Sequence, residues 1–117
     1  MEDKFVMLYV TTANVSEAQS IARTLLVHKL IACANILPRV QSLYRMDGVI
    51  TEDEEAIMLV KTLESKLEEV ENRITELHSY TVPCILQIST IRGNDAYINW
   101  IHSEITGDTP KPLNLSP

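Results

Sequence analysis

Residues 30–61 read LIACANILPRVQSLYRMDGVITEDEEAIMLVK, and this stretch decides the fold. Two strand-like runs flank Asp47-Gly48, a dipeptide that accepts the positive φ angles of a tight hairpin turn. Alternating side chains cover residues 40–46, and the return run extends from Val49 to Lys61. The pattern predicts one long β-hairpin with arms of about 14 residues, which at about 3.3 Å per residue is roughly 45 Å.

A hairpin of this length is longer than the domain that carries it. A compact chain of 117 residues is only about 35 Å across, so the end of the hairpin overhangs. Apolar residues such as Leu43, Tyr44 and Ile50 continue into the overhang, where a bare two-stranded ribbon is marginally stable in water. Identical neighbours around a closed symmetry axis would cover it, which predicts a homo-oligomer. The alternative is a strand broken at Pro38 into two ordinary strands.

Outward from the hairpin, the chain alternates between strand-like and helix-like patterns. The order of elements predicts an α+β, ferredoxin-like fold of the split β-α-β kind, with an extra C-terminal helix. We expect one domain over residues 1–107 and a flexible tail over residues 108–117. The predicted elements are a strand over 5–12, a helix opened by Asn14 or Ser16, the hairpin, a helix from a Ser65–Glu68 capping box to His78, a strand over 84–91, and a helix from Gly93 to Gly107.

Composition and charge limit the classes of partner and the location that we expect. Sixteen acidic against ten basic residues give a net charge of −6, the wrong sign for binding a phosphate backbone, so we expect no nucleic acid. The apolar runs are far shorter than the roughly 20 residues of a membrane helix, so we expect no membrane partner. The first residues lack the pattern of a secretory signal, which favours the cytoplasm. Cys33 and Cys84 match no disulfide framework, and we interpret both as reduced thiols.

A series of short motifs runs along the chain. The motifs are LIACANILP at 30–38, SLYR at 42–45, DG at 47–48, EE at 54–55, VKT at 60–62, ELHSY at 76–80, VP at 82–83 and YINW at 97–100. In order and spacing, this series resembles the CutA family of divalent-cation-tolerance proteins. The similarity covers about residues 5–105, and Cys84 stands where a Glu usually follows the Val-Pro pair of that family.

The resemblance implies a tight homotrimer held by long interlocked β-ribbons, with an architecture similar to PII signalling proteins. It also implies a link to copper and other divalent-cation tolerance, and no known reaction. No cofactor is required, although Cu or Zn is a possible bound ion.

Three residues are candidate metal ligands. Cys84 and His78 lie six residues apart and offer the sulfur and imidazole donors that Cu(I) or Zn(II) accepts. Zinc needs about four donors, so further ligands would come from a carboxylate or another subunit. Cys33 is the third candidate. The plainer interpretations are that Cys33 packs in the core and that His78 compensates a helix dipole.

Four residues are candidates for a cleft between subunits. Tyr44, Tyr80 and Trp100 carry large rings that pack in a core or an interface. Lys61 lies at the end of a predicted strand. It either binds an anion in a PII-like cleft or is an ordinary exposed lysine. The acidic run over residues 52–55 is best interpreted as a solvated face, with weak binding of a hard cation as the alternative.

Sequence motifs of enzymes are missing. The chain has no glycine-rich phosphate loop, HExxH or GxSxG, which predicts a protein that is not an enzyme. Two hypotheses remain: a metal-binding protein with ligands shared between subunits, and a trimeric regulatory or scaffold module that binds a small anion or a partner protein in its clefts. Fold alone does not choose between them.

Overall fold

A computed structural model describes residues 3–89 and 92–107 of the chain. A short 3-10 turn over Glu64–Lys66 precedes the second helix. The strands and helices are β1 (Phe5–Thr12), α1 (Val15–Val27), β2 (Cys33–Met46), β3 (Val49–Leu63), α2 (Leu67–Leu77), β4 (Ile85–Ile88) and α3 (Asp95–Thr106).

The long hairpin is confirmed. Asp47 and Gly48 have φ angles of 51° and 81°, the two consecutive positive values that turn β2 into β3. Pro38 does not end β2. The chain absorbs it in a bulge, where the register with β3 shifts between Leu37 and Val40, because a bulge needs no ladder hydrogen bond from the proline. The alternative of two separate strands is therefore wrong.

The four strands form one antiparallel sheet in the order β2-β3-β1-β4. Thr12, the last residue of β1, pairs with Ala56, so β3 is flanked by both β1 and β2 only from Ala56 onward. We call the part beyond this point, residues 40–46 and 49–55, the ribbon. The molecule measures 50 Å along its longest axis against 33 and 27 Å along the others. The overhang predicted from strand length is therefore present.

The first two helices cover one face of the sheet. Alternate residues of β1, such as Leu8 and Val10, are fully buried against Ile21 and Leu25 of α1 and Ile74 of α2. These residues recur at strand spacing on β1 and at helical spacing on α1, as the sequence predicted. The arrangement places α1 and α2 together on what we call the helix face.

The third helix packs on the opposite face. Ile101 and Ile105 of α3 are buried with Leu63, and Phe5 and Trp100 pack against them. This helix begins and ends as predicted. It ends there because Gly107 takes the left-handed φ of 83° that closes a helix. We call the sheet surface on this side the open face, since α3 covers only the end near Phe5 and Leu63.

Two predicted boundaries are wrong. The Ser65–Glu68 capping box does not form, because the Ser65 backbone N–H instead donates to Asp3 Oδ1 at 3.0 Å and a 3-10 turn comes before α2. The predicted fourth strand over 84–91 is ordered as β4 only over Ile85–Ile88. Residues 90–91 and the predicted tail over 108–117 lie outside the described residues. In the described part of the chain, every helix is too short or too polar to cross a membrane.

Candidate functional site

The segment that follows α2 is fixed by His78. The imidazole is fully buried, its Nε2 lies 2.7 Å from the carbonyl oxygen of Thr11, and its Nδ1 accepts the backbone N–H of Tyr80 at 3.0 Å. A carbonyl can only accept, so Nε2 carries the proton and Nδ1 provides the single ring lone pair. That lone pair is already used by Tyr80, and a metal bound there would displace this hydrogen bond.

Glu17 of α1 holds the same segment from the other side. Its carboxylate accepts the Ser79 N–H at 2.8 Å and the Ala13 N–H at 3.0 Å, and lies 3.8 Å from His78 Nδ1. Burial alone would raise the pKa of Glu17, but the hydrogen bonds from Ser79 and Ala13 hold that pKa below its usual value. The residues 78–80, which we call the strap, are thus locked at the N-terminal end of α1.

Two tyrosines bind carboxylates on one face of β3. The Tyr80 hydroxyl donates to Glu55 Oε2 at 2.8 Å, and the Tyr44 hydroxyl donates to Asp53. Partial burial and the hydrogen bond with Glu55 raise the pKa of Tyr80, and the bond with Asp53 raises that of Tyr44. Because both phenols stay protonated, each remains a donor. The predicted cleft residues Tyr44 and Tyr80 therefore contact two carboxylates that follow each other along one face of β3.

The other two cleft candidates join α3 to the sheet. Lys61 Nζ donates to the Tyr97 hydroxyl at 3.2 Å and lies 5.2 Å from the centre of that ring, which in turn lies 5.6 Å from the Trp100 ring. The ammonium gains both a hydrogen bond and a cation–π contact. In the single chain, the Lys61 ammonium is therefore engaged with α3, and its binding to an anion stays a prediction.

The two cysteines lie far apart in the sheet. Cys33 pairs directly with Lys61 at the outer strand β2, while Cys84 comes just before β4 at the opposite edge. Both are free and half-buried. Directly paired residues share a face, so Cys33 lies on the open face with Lys61, where it is half-buried and belongs to neither buried cluster of the single chain.

The described residues do not fit a resident metal within one chain. They include no group of three or more His, Cys, Asp or Glu side chains placed to hold an ion. His78 uses both ring nitrogens for hydrogen bonds inside the fold. Cys33 lies on β2 and Cys84 lies just before β4, and these two strands are at opposite edges of the sheet. The assignment of His78, Cys84 and Cys33 as metal ligands stays a prediction, and one chain would need donors from elsewhere.

The open face carries an apolar surface that α3 leaves uncovered. Tyr9 pairs with Leu59 on one side and Leu86 on the other, so the three side chains form a row across the sheet. The next row pairs Met7 with Ile88. Leu86 is 58% exposed and Ile88 38% exposed. Large exposed apolar patches on a folded chain mark interaction surfaces.

Sequence reasoning missed the residues that fix the strap and the second helix. Glu17 follows the N-cap residue Asn14 by three positions, the spacing of a capping box, and this signal was available. No sequence signal was available for the contact of Glu17 with Ser79 or of Asp3 with Ser65, because each contact joins segments 62 residues apart.

Comparison with known proteins shows the family of the chain. The sequence model of the CutA1 divalent ion tolerance protein family matches residues 6–104. The chain belongs to the CutA1 family. The CutA divalent-cation tolerance protein of Thermus thermophilus is 37% identical over 101 residues, covering 86% of this chain and 97% of the relative. That of Archaeoglobus fulgidus is 39% identical over 98 residues, covering 84% and 95%.

Solved CutA1 structures share the fold. The CutA structure from Archaeoglobus fulgidus, described as periplasmic, has a TM-score of 0.84 at 36% identity, covering 87% of this chain and 99% of that one. CutA1 from Ehrlichia chaffeensis has a TM-score of 0.85 at 31% identity, covering 90% and 98%. Membership of the CutA1 family confirms the resemblance seen in the sequence. The cytoplasmic location stays a prediction.

Proposed function

We propose that this CutA1 chain acts in divalent-cation tolerance as a PII-like homotrimer of ferredoxin-like protomers, and that it catalyses no reaction. The observation that carries the proposal is the continuity of the open face with the ribbon. Tyr9, Leu59 and Leu86 on the sheet, and Met46 and Val49 at the ribbon tip, leave apolar surface uncovered. Burying such surface is worth about 25 cal/mol per Å², which favours assembly over an exposed monomer.

Assembly also supports the proposed role in binding cations. One described chain does not gather three donors, so we propose that Cu(I), Zn(II) or another divalent ion binds with ligands from more than one protomer. Cys84 supplies the soft thiolate donor of this chain, and the carboxylates of residues 52–55 supply charge. Cys33 stays a second proposed donor, since it lies on the open face.

The test is a titration of metal-free protein under anaerobic conditions. Calorimetry with Cu(I) and Zn(II) on wild type, Cys84→Ser and Cys33→Ser should show about tenfold or greater loss of affinity in Cys84→Ser, because sulfur is the preferred donor for these ions. Binding should weaken on acidification, since the thiol must ionise. Equal affinity in wild type and Cys84→Ser would reject this donor. The absence of binding by wild type would favour a regulatory module that binds an anion or a partner protein.

A further inference from the structure

The base of the ribbon is the point where the sheet loses a strand. β1 ends at Thr12 opposite Ala56, and the bulge of β2 between Leu37 and Val40 falls at the same level. A bulge bends a strand and increases its twist, and a two-stranded ribbon is weakly stable by itself. Glu55 is the first residue of β3 beyond this point, so a contact made there can influence the direction in which the ribbon leaves the sheet.

The helix side of this junction is a groove. Asn14 and Ser16 at the start of α1 face Arg39 and Glu54 of the ribbon base across a cavity of about 300 Å³. Arg39 and Glu54 form an ion pair of 3.4 Å, but both side chains are largely exposed, and they lie on the two strands of the hairpin itself. An exposed pair of this kind contributes little.

The strap makes a different contact. Tyr80 reaches Glu55 Oε2 at 2.8 Å from a segment outside the ribbon. Its backbone N–H is held by His78, its ring lies 4.7 Å from the His78 ring, and the preceding N–H of Ser79 is held by Glu17. This hydrogen bond to a carboxylate connects a locked segment to the first residue of the ribbon.

We infer that Tyr80 is a positioning residue that sets the direction of the ribbon for assembly, and that His78 and Glu17 serve to hold Tyr80 in place. The inference rests on the proposed trimer, because the ribbon matters to function through the contacts it makes with other protomers. It assigns His78 to an internal contact and not to a metal.

The experiment measures exchange of subunits between two differently labelled populations of the assembled protein by native mass spectrometry. Tyr80→Phe keeps the ring on His78 and removes only the hydroxyl, and it should speed subunit exchange about tenfold, as expected for loss of a hydrogen bond to a charged acceptor. Glu55→Ala should match it, and the double variant should be no faster than either single variant. Glu55→Gln keeps an acceptor oxygen and should restore an exchange rate close to that of wild type.

Ser65→Ala is the matched control. It removes the same kind of bond, from a hydroxyl to the carboxylate of Asp3, at a place outside the ribbon, so the subunit exchange rate should stay within about twofold of wild type. An unchanged rate in Tyr80→Phe, or an equal increase in Ser65→Ala, would overturn the inference while leaving the trimer intact. If wild type is a monomer, the proposed assembly fails instead. Faster amide hydrogen exchange over residues 49–55 in Tyr80→Phe, with unchanged exchange over 6–10, would then still support the tether, and equal exchange would overturn it.

Discussion

Thr12 lies directly opposite Ala56, and this pair is the last that β1 makes with β3. Beyond it, β3 continues over residues 49–55, where it pairs with β2. Leu43 and Ile50 in this extension are 63% and 72% exposed. A two-stranded ribbon that exposes apolar side chains is marginally stable in water unless another surface covers it, so the proposed assembly can be tested directly by experiment.

Tyr44→Asp tests whether the ribbon lies in an interface. The change removes a ring and places a second carboxylate near Asp53, which the Tyr44 hydroxyl normally contacts. An unpaired charge in an interface costs several kcal/mol, so we expect dissociation or aggregation. Tyr44→Phe is the control and should remain assembled. If light scattering shows Tyr44→Asp at the wild-type mass with an unchanged unfolding midpoint, Tyr44 faces solvent.

Leu8→Ala tests the core between the sheet and the first two helices. Leu8 is fully buried, and the cavity left by the change should lower the free energy of unfolding by about 2–5 kcal/mol. Val27→Ala, at a side chain 77% exposed on α1, should change it by less than about 0.5 kcal/mol. Urea unfolding at one fixed protomer concentration compares the two. Similar losses in both variants would contradict the packing described for the helix face.

The lowered pKa of Glu17 predicts that part of the free energy of unfolding is lost in acid. Its pKa in the folded chain lies below the value of 4.5 of a free carboxyl, because hydrogen bonds from Ser79 and Ala13 outweigh the effect of burial. A lowered folded pKa gives stability that is fully present above the unfolded pKa and is lost as pH falls through the folded pKa. Wild type should therefore exceed Glu17→Gln in unfolding free energy near neutral pH, and the difference should shrink in acid.

Urea unfolding at several pH values between about 7 and about 3 measures that difference. The glutamine variant keeps the length of the side chain and removes its titration, so a change of the difference with pH comes from the charge of Glu17. A difference that stays constant over the whole range would show that the charged form of Glu17 is not what stabilises the strap.

The sequence predicted the order of elements because each carries its own local signal. Asp47-Gly48 specifies the turn, and Gly107 the end of α3, through backbone conformations that few residues adopt. The contacts that build the candidate site have no such signal. Tyr80 meets Glu55 across 25 positions, and His78 meets Thr11 across 67, so only the folded chain brings them together. Cys33 was expected in the core because residues 30–37 are almost all apolar, and this pattern does not show which face of the strand stays half-buried in the single chain.

His78 should keep one tautomer whether or not metal is present. The structure places the proton on Nε2 and leaves Nδ1 to accept from Tyr80. Two-dimensional NMR of the ring nitrogens should show this Nε2–H form in metal-free protein and in protein saturated with Zn(II), because both nitrogens are already hydrogen bonded. His28 and His102 give reference signals in the same spectrum. A shift of a His78 nitrogen to a metal-bound position would return His78 to the set of ligands.

The mass of the metal-free protein in dilute solution tests the central claim most directly. Light scattering coupled to size exclusion should give about three times the 13.2 kDa of one chain, since the open face and ribbon need partners to be covered. The mass should not fall when the protein is diluted to a protomer concentration of about 1 micromolar, because subunits joined by an apolar interface of this kind dissociate very little. A folded particle of 13.2 kDa with intact secondary structure would contradict the account.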